Sequence, residues 1–363
     1  MASVFGERLR VSVFGESHGP GIGTVIEGLP AGEQVDSDTL QRFMERRQGG
    51  RNALSTARKE PDIPKVISGM FDGKTTGFPV CLMIENTNTR SGDYSNLLDK
   101  PRPSHADYTA FAKWHGHADM RGGGHFSGRL TAPLCAAGGI AKQILERRGI
   151  FVGAHLSSIG SVQDEPFPML PDAVLFDTIA AKPLPVISDA RGAEMQQEAA
   201  AAREALDSVG GSIECMIVGL PAGLGDPMFD GIESRLAKVL FGIPAVKGVE
   251  FGDGFALSQM RGSAANDPFC YDENGNVRTE TNRNGGILGG ITTGMPVRFR
   301  VGIKPTPSIA QKQKTVSFRT HDNTEIEIAG RHDPCIAQRA VPVIEAAAAL
   351  VALDVLLCDA EVR

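Results

Sequence analysis

The pentapeptide Gly-Leu-Pro-Ala-Gly occupies residues 28–32 and occurs again at residues 219–223. A second phrase, Thr-Thr-Gly-x-Pro-Val, occupies residues 75–80 and recurs at residues 292–297. The two phrases come in the same order in both halves, which indicates an internal duplication. The alternative, that both are common turn phrases, stays open on the sequence alone.

The segments around these phrases predict the class of fold. Short runs of β-forming residues lie beside each phrase, and hairpin-length gaps separate them. An alanine-rich helix is predicted to close each half, over about 127–148 and 337–358. This pattern favours an α+β fold with antiparallel sheets packed on helices over a doubly wound Rossmann sheet. The pseudo-repeats would cover about 1–150 and 210–360.

Composition limits the classes of partner. The chain has 363 residues, of which 41% are hydrophobic, so it can bury a sizeable core. A net charge of -6 argues against bulk affinity for nucleic acid but is compatible with a local basic pocket. The most apolar tract, residues 340–357, includes Pro342, Glu345 and Asp354, and therefore predicts a buried helix and no membrane span.

The cysteines and histidines do not form a metal-binding pattern. The closest cysteines, Cys335 and Cys358, are 23 positions apart, so there is no CxxC pair. Cysteines in apolar runs indicate a reducing compartment, and we expect a cytoplasmic location. His115, His117 and His125 lie close together, but no flanking cysteine or carboxylate pattern accompanies them, and we predict no metal.

A glycine-rich turn carries the first candidate catalytic residue. His18 lies in the run Gly-Glu-Ser-His-Gly-Pro-Gly at residues 15–21, directly after a predicted strand. An imidazole changes protonation near neutral pH, as a general acid must. A structural histidine in a turn is the open alternative.

Three further segments predict anion binding. Arginines follow a helix predicted from about residue 38 to 47, and others lie in Pro-Arg-Pro-Ser-His-Ala-Asp at 101–107 and in Arg-Gly-Gly-Gly-His-Phe-Ser-Gly-Arg-Leu-Thr at 121–131. Guanidinium groups pair with phosphate and carboxylate, and a glycine run entering a helix favours an anion. Ser104 is predicted to cap a helix that carries His105. Arginines that only offset helix dipoles or form plain ion pairs are the alternative.

Together these segments resemble the chorismate synthase family across essentially the whole chain. The matching runs are GESHG, PRPSHAD, GGGxxSGRxT, GGIxGG with KPTPS at 304–308, and RHDPC with AVPxxEA. The resemblance implies a single domain over residues 1–363, with helices between two antiparallel sheets in a β-α-β sandwich. It also implies a homotetramer.

The resemblance further implies the reaction of a carbon–oxygen lyase. In that family 5-enolpyruvylshikimate-3-phosphate loses phosphate and a C6 hydrogen in an anti-1,4-elimination, giving chorismate at the end of the shikimate pathway. Reduced FMN is required, although no net redox change occurs. By motif match, His18 would protonate the leaving phosphate, His105 would balance the charge of the reduced flavin, and Asp333 would accept a proton near flavin N5.

The same resemblance implies two sets of binding residues. The anionic substrate would be bound by arginines, namely Arg46, Arg47, Arg51, Arg102 and Arg129. The flavin would be bound by His125, Phe126, Ser127, Ala245, Gly289, Lys304, Pro305, Thr306, Pro307, Ser308 and Arg331, and we also consider Arg331 for the substrate phosphate.

Three departures from the family pattern affect these expectations. Many members have Arg-Ser where this chain has His125 and Phe126, and many have Asn where Pro244 stands. A family arginine falls on Ala53, for which Arg51 is a candidate replacement. A flavin oxidoreductase using NADPH and a non-catalytic flavin sensor are the competing classes. The chain has no nicotinamide fingerprint, and it retains both histidines and Asp333.

Overall fold

A computed structural model describes residues 3–49, 60–87, 99–328 and 333–362 of the chain. The strands are β1 Val4–Phe5, β2 Arg10–Gly15, β3 Gly21–Glu27, β4 Lys65–Ser68, β5 Met70–Phe71, β6 Lys74–Thr75, β7 Val80–Glu85, β8 Phe151–Ile159, β9 Val162–Gln163, β10 Gly211–Val218, β11 Val246–Phe251, β12 Phe269–Tyr271, β13 Val277–Thr279, β14 Ile287–Leu288, β15 Ile291–Thr292, β16 Val297–Ile303, β17 Gln313–Val316 and β18 Asn323–Ile326. The helices are α1 Ser37–Glu45, α2 Asp107–Trp114, α3 Thr131–Glu146, α4 Ala173–Ala181, α5 Asp189–Glu204, α6 Ile232–Leu240, α7 Gly262–Ala265 and α8 Ala337–Val362.

Two five-stranded antiparallel sheets form the frame, which confirms the predicted α+β class. The first sheet has the order β1-β2-β3-β7-β4, and the second has the order β9-β8-β10-β16-β11. Strand β16 shows how the second sheet forms a core face: Val297, Phe299 and Val301 are buried, and they alternate with the less buried Arg298 and Arg300. This period of two directs one face of the strand to the core and the other away from it.

Helices α3 and α8 lie against the two sheets and against each other. Helix α3 contacts β3 and β7 of the first sheet, and α8 contacts β8 and β10 of the second. A β-carbon at Gly138 of α3 would lie only 2.3 Å from the β-carbon of Ala346 in α8. Small residues on both helices therefore permit the close approach.

The apolar character of α8 follows from this position. Over Ala337–Asp359 it is long and apolar enough to cross a membrane, with a mean hydropathy of 2.2. However, 83% of its most apolar window is buried inside the protein. Burial against α3 on one side and the second sheet on the other accounts for the composition of the helix.

The helix starts show where sequence-based prediction succeeded and failed. The sequence offers Asp36 and Ser37 as candidates for the N-cap of α1, and it is Asp36 that caps the helix, because its side chain accepts a hydrogen bond from the backbone N–H of Thr39 at 2.6 Å. The prediction that Ser104 caps a helix carrying His105 is wrong. Helix α2 begins at Asp107, and Ser104 has a φ of +59°, so His105 lies in an irregular turn before the helix.

A buried ionic cluster in the second sheet joins His155 of β8 to Asp164, which follows β9, and to Glu214 of β10. The ring of His155 is fully buried, with Nδ1 at 3.1 Å from Asp164 Oδ2 and Nε2 at 2.9 Å from Glu214 Oε2. Burial alone would lower the pKa of His155, but the hydrogen bonds to the two carboxylates raise it above its ordinary value. The cluster therefore favours an imidazolium in the folded protein.

We expect this cluster to make stability depend on pH. Its contribution is complete below the unfolded-state pKa of histidine, about 6.5, and is lost as the pH rises through the raised folded-state pKa. The substitution His155→Gln should lower the free energy of unfolding by about 3–5 kcal/mol at acidic pH. Urea unfolding across neutral and alkaline pH should show this deficit shrinking, and a deficit independent of pH would contradict the assignment.

Candidate active site

The turn that carries His18 is fixed by backbone bonds to a distant segment. The turn closes through the N–H of Gly19, which donates to the carbonyl of Glu16 at 3.1 Å. The N–H of Ser17 donates to the carbonyl of Gly124 at 3.1 Å. His18 and Ser17 are both buried. The histidine is therefore held by the β2–β3 connection on one side and by the glycine run at 122–124 on the other.

The glycine run contacts both predicted catalytic histidines. Gly122 has a φ of +61°, and a β-carbon there would lie 2.1 Å from Cε1 of His18. Gly123 has a φ of +89°, and its β-carbon would lie 3.4 Å from Nε2 of His105. Only glycine fits at residue 122, because a side chain would be both strained and in collision with the ring. The main chain of two glycines thus lies between the two imidazoles.

His105 belongs to a compact charged group with its near neighbours. Its Nδ1 lies 2.6 Å from Oδ1 of Asp107, and Arg102 donates to the same carboxylate through Nε at 2.7 Å and Nη2 at 2.8 Å. Burial alone would raise the pKa of Asp107, but the hydrogen bonds from Arg102 and His105 hold it well below its usual range. Nδ1 of His105 also lies 3.0 Å from Nη2 of Arg102, and Nε2 is the ring nitrogen on the side of Gly123.

A second charged group lies at the entrance to α3. Asp62 bridges two buried arginines, accepting hydrogen bonds from Nη2 of Arg47 and Nη1 of Arg129. Burial alone would raise the pKa of Asp62, but the two guanidinium groups lower it. Nε of Arg129 also lies 3.0 Å from Oδ1 of Asn86 and 3.1 Å from Oε2 of Glu60. The arginine pair therefore holds an internal anion.

The segment 304–308 docks on the turn that holds His105. Nζ of Lys304 donates to the carbonyl of Ser104, and Oγ of Ser308 lies 3.4 Å from Nη1 of Arg102. The backbone N–H of Lys304 donates to the carbonyl of Ala245 at 2.9 Å. Burial and a neighbouring lysine lower the pKa of Lys304. Residues 245 and 304–308 thus lie together beside the His105 group.

The segment at residues 333–339 joins the site through Arg339, which sequence analysis did not identify as a site residue. Asp333 is buried and accepts a hydrogen bond from Nη1 of Arg339 at 2.6 Å. Nε of the same arginine donates to the backbone carbonyl of Arg47 at 3.0 Å. Arg339 therefore links the start of α8 to the arginine pair.

Several predicted binding residues have protein partners in the structure. Arg46 forms a bidentate ion pair with Glu345, with both distances at 2.7 Å. Burial alone would lower the pKa of Arg46, but the carboxylate raises it. The ring of His125 lies 2.8 Å from the carbonyl of Gly15 through Nδ1, and 2.7 Å from Oγ of Ser3 through Nε2.

The remaining predicted residues are placed as follows. Phe126 packs on Trp114, with ring centroids 5.7 Å apart, and Ser127 caps the short 3-10 turn Gly128–Leu130 that precedes α3. Gly289 lies between β14 and β15, with open space where a β-carbon would be. Arg51, Ala53 and Arg331 lie outside the described residues. Within the described residues, no group of three or more His, Cys, Asp or Glu side chains could hold a metal ion.

Sequence reasoning did not identify Asp62, Asn86 or Arg339 as site residues. Asn86 follows directly after β7, and a polar residue at the end of a buried strand is a signal that could have been used. Asp62 and Arg339 carry no such signal. Asp62 is 67 positions from Arg129 and Arg339 is 292 positions from Arg47, so only the fold brings these pairs together.

Two imidazoles, a buried arginine pair and a lysine-containing loop converge on one glycine-lined region. The class of protein that this arrangement defines is an enzyme that binds a small polyanion and moves protons.

Comparisons with known proteins specify the family. The family described as chorismate synthase matches residues 9–357. A chorismate synthase from Thermococcus gammatolerans is 49% identical over 353 residues, 97% of each chain, and one from Lachnoclostridium phytofermentans is 45% identical over 355 residues, 98% of this chain and 95% of its own. A crystal structure of chorismate synthase matches with a TM-score of 0.77 and 26% identity, over 98% of this chain and 93% of that one. The chain belongs to the chorismate synthase family, a family of lyases, which confirms the resemblance drawn from its motifs.

We expect Gly122→Ala to displace the ring of His18. A β-carbon at that position would overlap the ring and require a backbone conformation that L residues rarely adopt. The matched control is Gly128→Ala, where nothing lies within 4 Å of the added carbon. The ring resonances of His18 in NMR spectra should shift in the first variant and stay in place in the second. Equal spectra for both would contradict the predicted contact.

Proposed function

We propose that this chain converts 5-enolpyruvylshikimate-3-phosphate to chorismate by anti-1,4-elimination of phosphate, with reduced FMN bound beside the substrate. The observation that carries the proposal is the placement of His18 and His105 against the same glycine backbone, at Gly122 and Gly123. The reaction needs a proton for the leaving phosphate and a counter-charge for an anionic flavin. Two imidazoles on different sides of Gly122 and Gly123 suit these two tasks.

The arginine pair suits the substrate phosphate or a substrate carboxylate. Arg47 and Arg129 are buried, and a carboxylate, that of Asp62, already lies between them. A carboxylate in this position indicates that the site can hold an anion, since guanidinium groups bind carboxylate and phosphate in the same way. The substrate anion would take over or share the place of Asp62. Arg102 would bind the substrate anion from the side on which His105 lies.

The loop at 304–308 suits the flavin. Lys304 supplies a positive charge there, and Oγ1 of Thr306 is buried with no hydrogen-bond partner among the described residues. A buried hydroxyl without a partner costs free energy, which a ligand with phosphate or ring oxygens would recover. Reduced FMN, when bound, supplies transient electron density to the substrate. Ala245, Ser127 and Ser308 would line the same cofactor site.

The protein residues would then divide the proton and charge work. His18 would donate a proton to the leaving phosphate oxygen. His105 would hold positive charge at Nε2, supported by Asp107 behind Nδ1. Asp333, held by Arg339, would accept a proton near flavin N5.

Two residues predicted to bind ligands have structural roles in this proposal. Arg46 is held by Glu345 and joins α1 to α8. His125 is held by Gly15 and Ser3, and would fix the glycine run against β2. Arg51, Gly289 and Arg331 keep their predicted binding roles, and Phe126 and residues 305–307 keep their predicted role in binding the flavin.

We further propose a cytoplasmic homotetramer with a small-molecule substrate, with neither nucleic acid nor membrane as a partner.

We also infer that the β-α-β sandwich arose by duplication, with a pseudo-twofold relation between the halves. Thr75 donates through Oγ1 to the carbonyl of Pro30 at 2.6 Å, and Thr292 donates to the carbonyl of Pro221 at 2.7 Å. These are the same positions of the two repeated phrases. The pairing of β3 with β7 also has its counterpart in the pairing of β10 with β16.

The proposed reaction is tested by anaerobic turnover with three flavin conditions. We expect product with chemically reduced FMN and none without flavin. Product with oxidised FMN and NADPH would indicate that the chain reduces its own flavin. Product formed in the absence of any flavin, or no product under any condition, would contradict the proposal.

Substitution of the two histidines should affect catalysis in different ways. His18→Ala should mainly lower kcat, by about 10²–10⁴-fold, because protonation matters in the transition state. His105→Ala should also change the absorption spectrum of the bound reduced flavin, because a charge beside the ring is lost. Single-turnover rates and anaerobic spectra measure both effects. A spectral change in the His18 variant alone would mean that the two roles are reversed.

A further inference from the structure

Asn86 connects the His18 turn to Arg129 through all three polar bonds of its side chain. Its Nδ2 donates to the carbonyl of Glu16 at 3.0 Å and to the carbonyl of Gly19 at 2.9 Å. Its Oδ1 accepts from Nε of Arg129 at 3.0 Å. Two carbonyls on one side and an N–H on the other determine which way the amide faces. The side chain therefore joins two segments that the chain itself does not place together.

The position of Asn86 is set by the first sheet. It follows β7 directly, and its backbone N–H donates to the carbonyl of Pro20 at 3.2 Å, which continues the pairing of β7 with β3 by one step. The amide thus extends from a rigid strand end. A group held in this way can fix the geometry of its partners.

The neutral charge of the amide matters for Arg129. Asn86 accepts from Nε, the nitrogen nearest the stem, which also lies 3.1 Å from Oε2 of Glu60, whereas the terminal Nη1 is directed at Asp62. The plane of the guanidinium is therefore fixed without any loss of its positive charge to Asn86. A carboxylate in the same place would fix the plane equally well, but it would reduce the attraction for an anionic ligand.

We infer that Asn86 is a positioning residue, which sets the spacing between the proton donor His18 and the anion-binding Arg129. This inference rests on the proposed function, in which both residues act on the phosphate-bearing substrate. The two donated bonds hold the turn that carries His18, and the accepted bond aligns the arginine. The proton donor and the phosphate ligand would then keep one fixed relation during turnover.

The test compares two substitutions that differ in charge. Asn86→Ala removes all three bonds and leaves the charge of Arg129 intact, whereas Asn86→Asp is nearly isosteric but introduces a second carboxylate beside Nε, in addition to that of Glu60. We expect kcat to fall about 10–100-fold in both, because the turn is released. We expect KM to rise more in Asn86→Asp, by about tenfold or more, because the added charge weakens anion binding.

The control is Gln143→Ala, at the other end of α3. Gln143 also uses a buried side-chain amide to hold backbone, donating to the carbonyl of Asp36 at 3.0 Å and accepting from its N–H at 2.8 Å. This variant should lower the Tm with little change in kcat or KM. It measures how much of any effect comes from loss of stability alone.

A binding measurement separates this inference from the proposed reaction. Calorimetric titration of 5-enolpyruvylshikimate-3-phosphate into protein with oxidised FMN reports Kd without turnover, and Kd should increase from wild type to Asn86→Ala to Asn86→Asp. The positioning role would be overturned if Asn86→Asp raised Kd and KM less than Asn86→Ala did, and if the losses of activity followed the decreases in Tm. If the three proteins show this order of Kd but the wild type forms no product, the result contradicts the proposed reaction only and supports the assignment of Asn86.

Discussion

The close contact between α3 and α8 determines how the rest of the molecule is arranged. Gly138 and Ala346 approach so closely that neither position can carry a larger side chain. Each helix covers one sheet, so the distance between the helices sets the distance between the two halves. The same contact brings the start of α8 beside the end of α1. There Glu345 receives Arg46, and Arg339 reaches the backbone of Arg47.

The polar site depends on this apolar frame, because buried charges need partners at fixed positions. Asp62 lies between Arg47 and Arg129, and Asp107 lies between Arg102 and His105. Each carboxylate has a lowered pKa because cations adjoin it, even though burial acts in the opposite direction. Unpaired charges at this depth would cost several kcal/mol each, so the groups are held as neutralised clusters. A polyanionic substrate would enter a region already organised for negative charge.

Glycine has a distinct role at the centre of the site. The backbone at Gly122 and Gly123 lies against two imidazole rings, and any side chain at residue 122 would displace one of them. Both residues also have positive φ values. The backbone therefore separates the two imidazole rings without adding bulk. Asn86 complements this spacer by fixing the same turn from the opposite direction.

The sequence by itself determined the local elements and the family. Short runs of β-forming residues predicted strands, Asp36 and Ser37 were the two candidates for the start of α1, and the ordered motifs indicated the chorismate synthase family. These features depend on neighbours within a few positions or on runs of identity. Only the tertiary structure decided which polar groups are paired: Arg46 meets Glu345 across 299 positions, and Arg129 meets Asn86 across 43. Nothing local distinguishes an arginine that binds a ligand from one that binds a distant carboxylate, because the partner is chosen by the packing of sheets and helices.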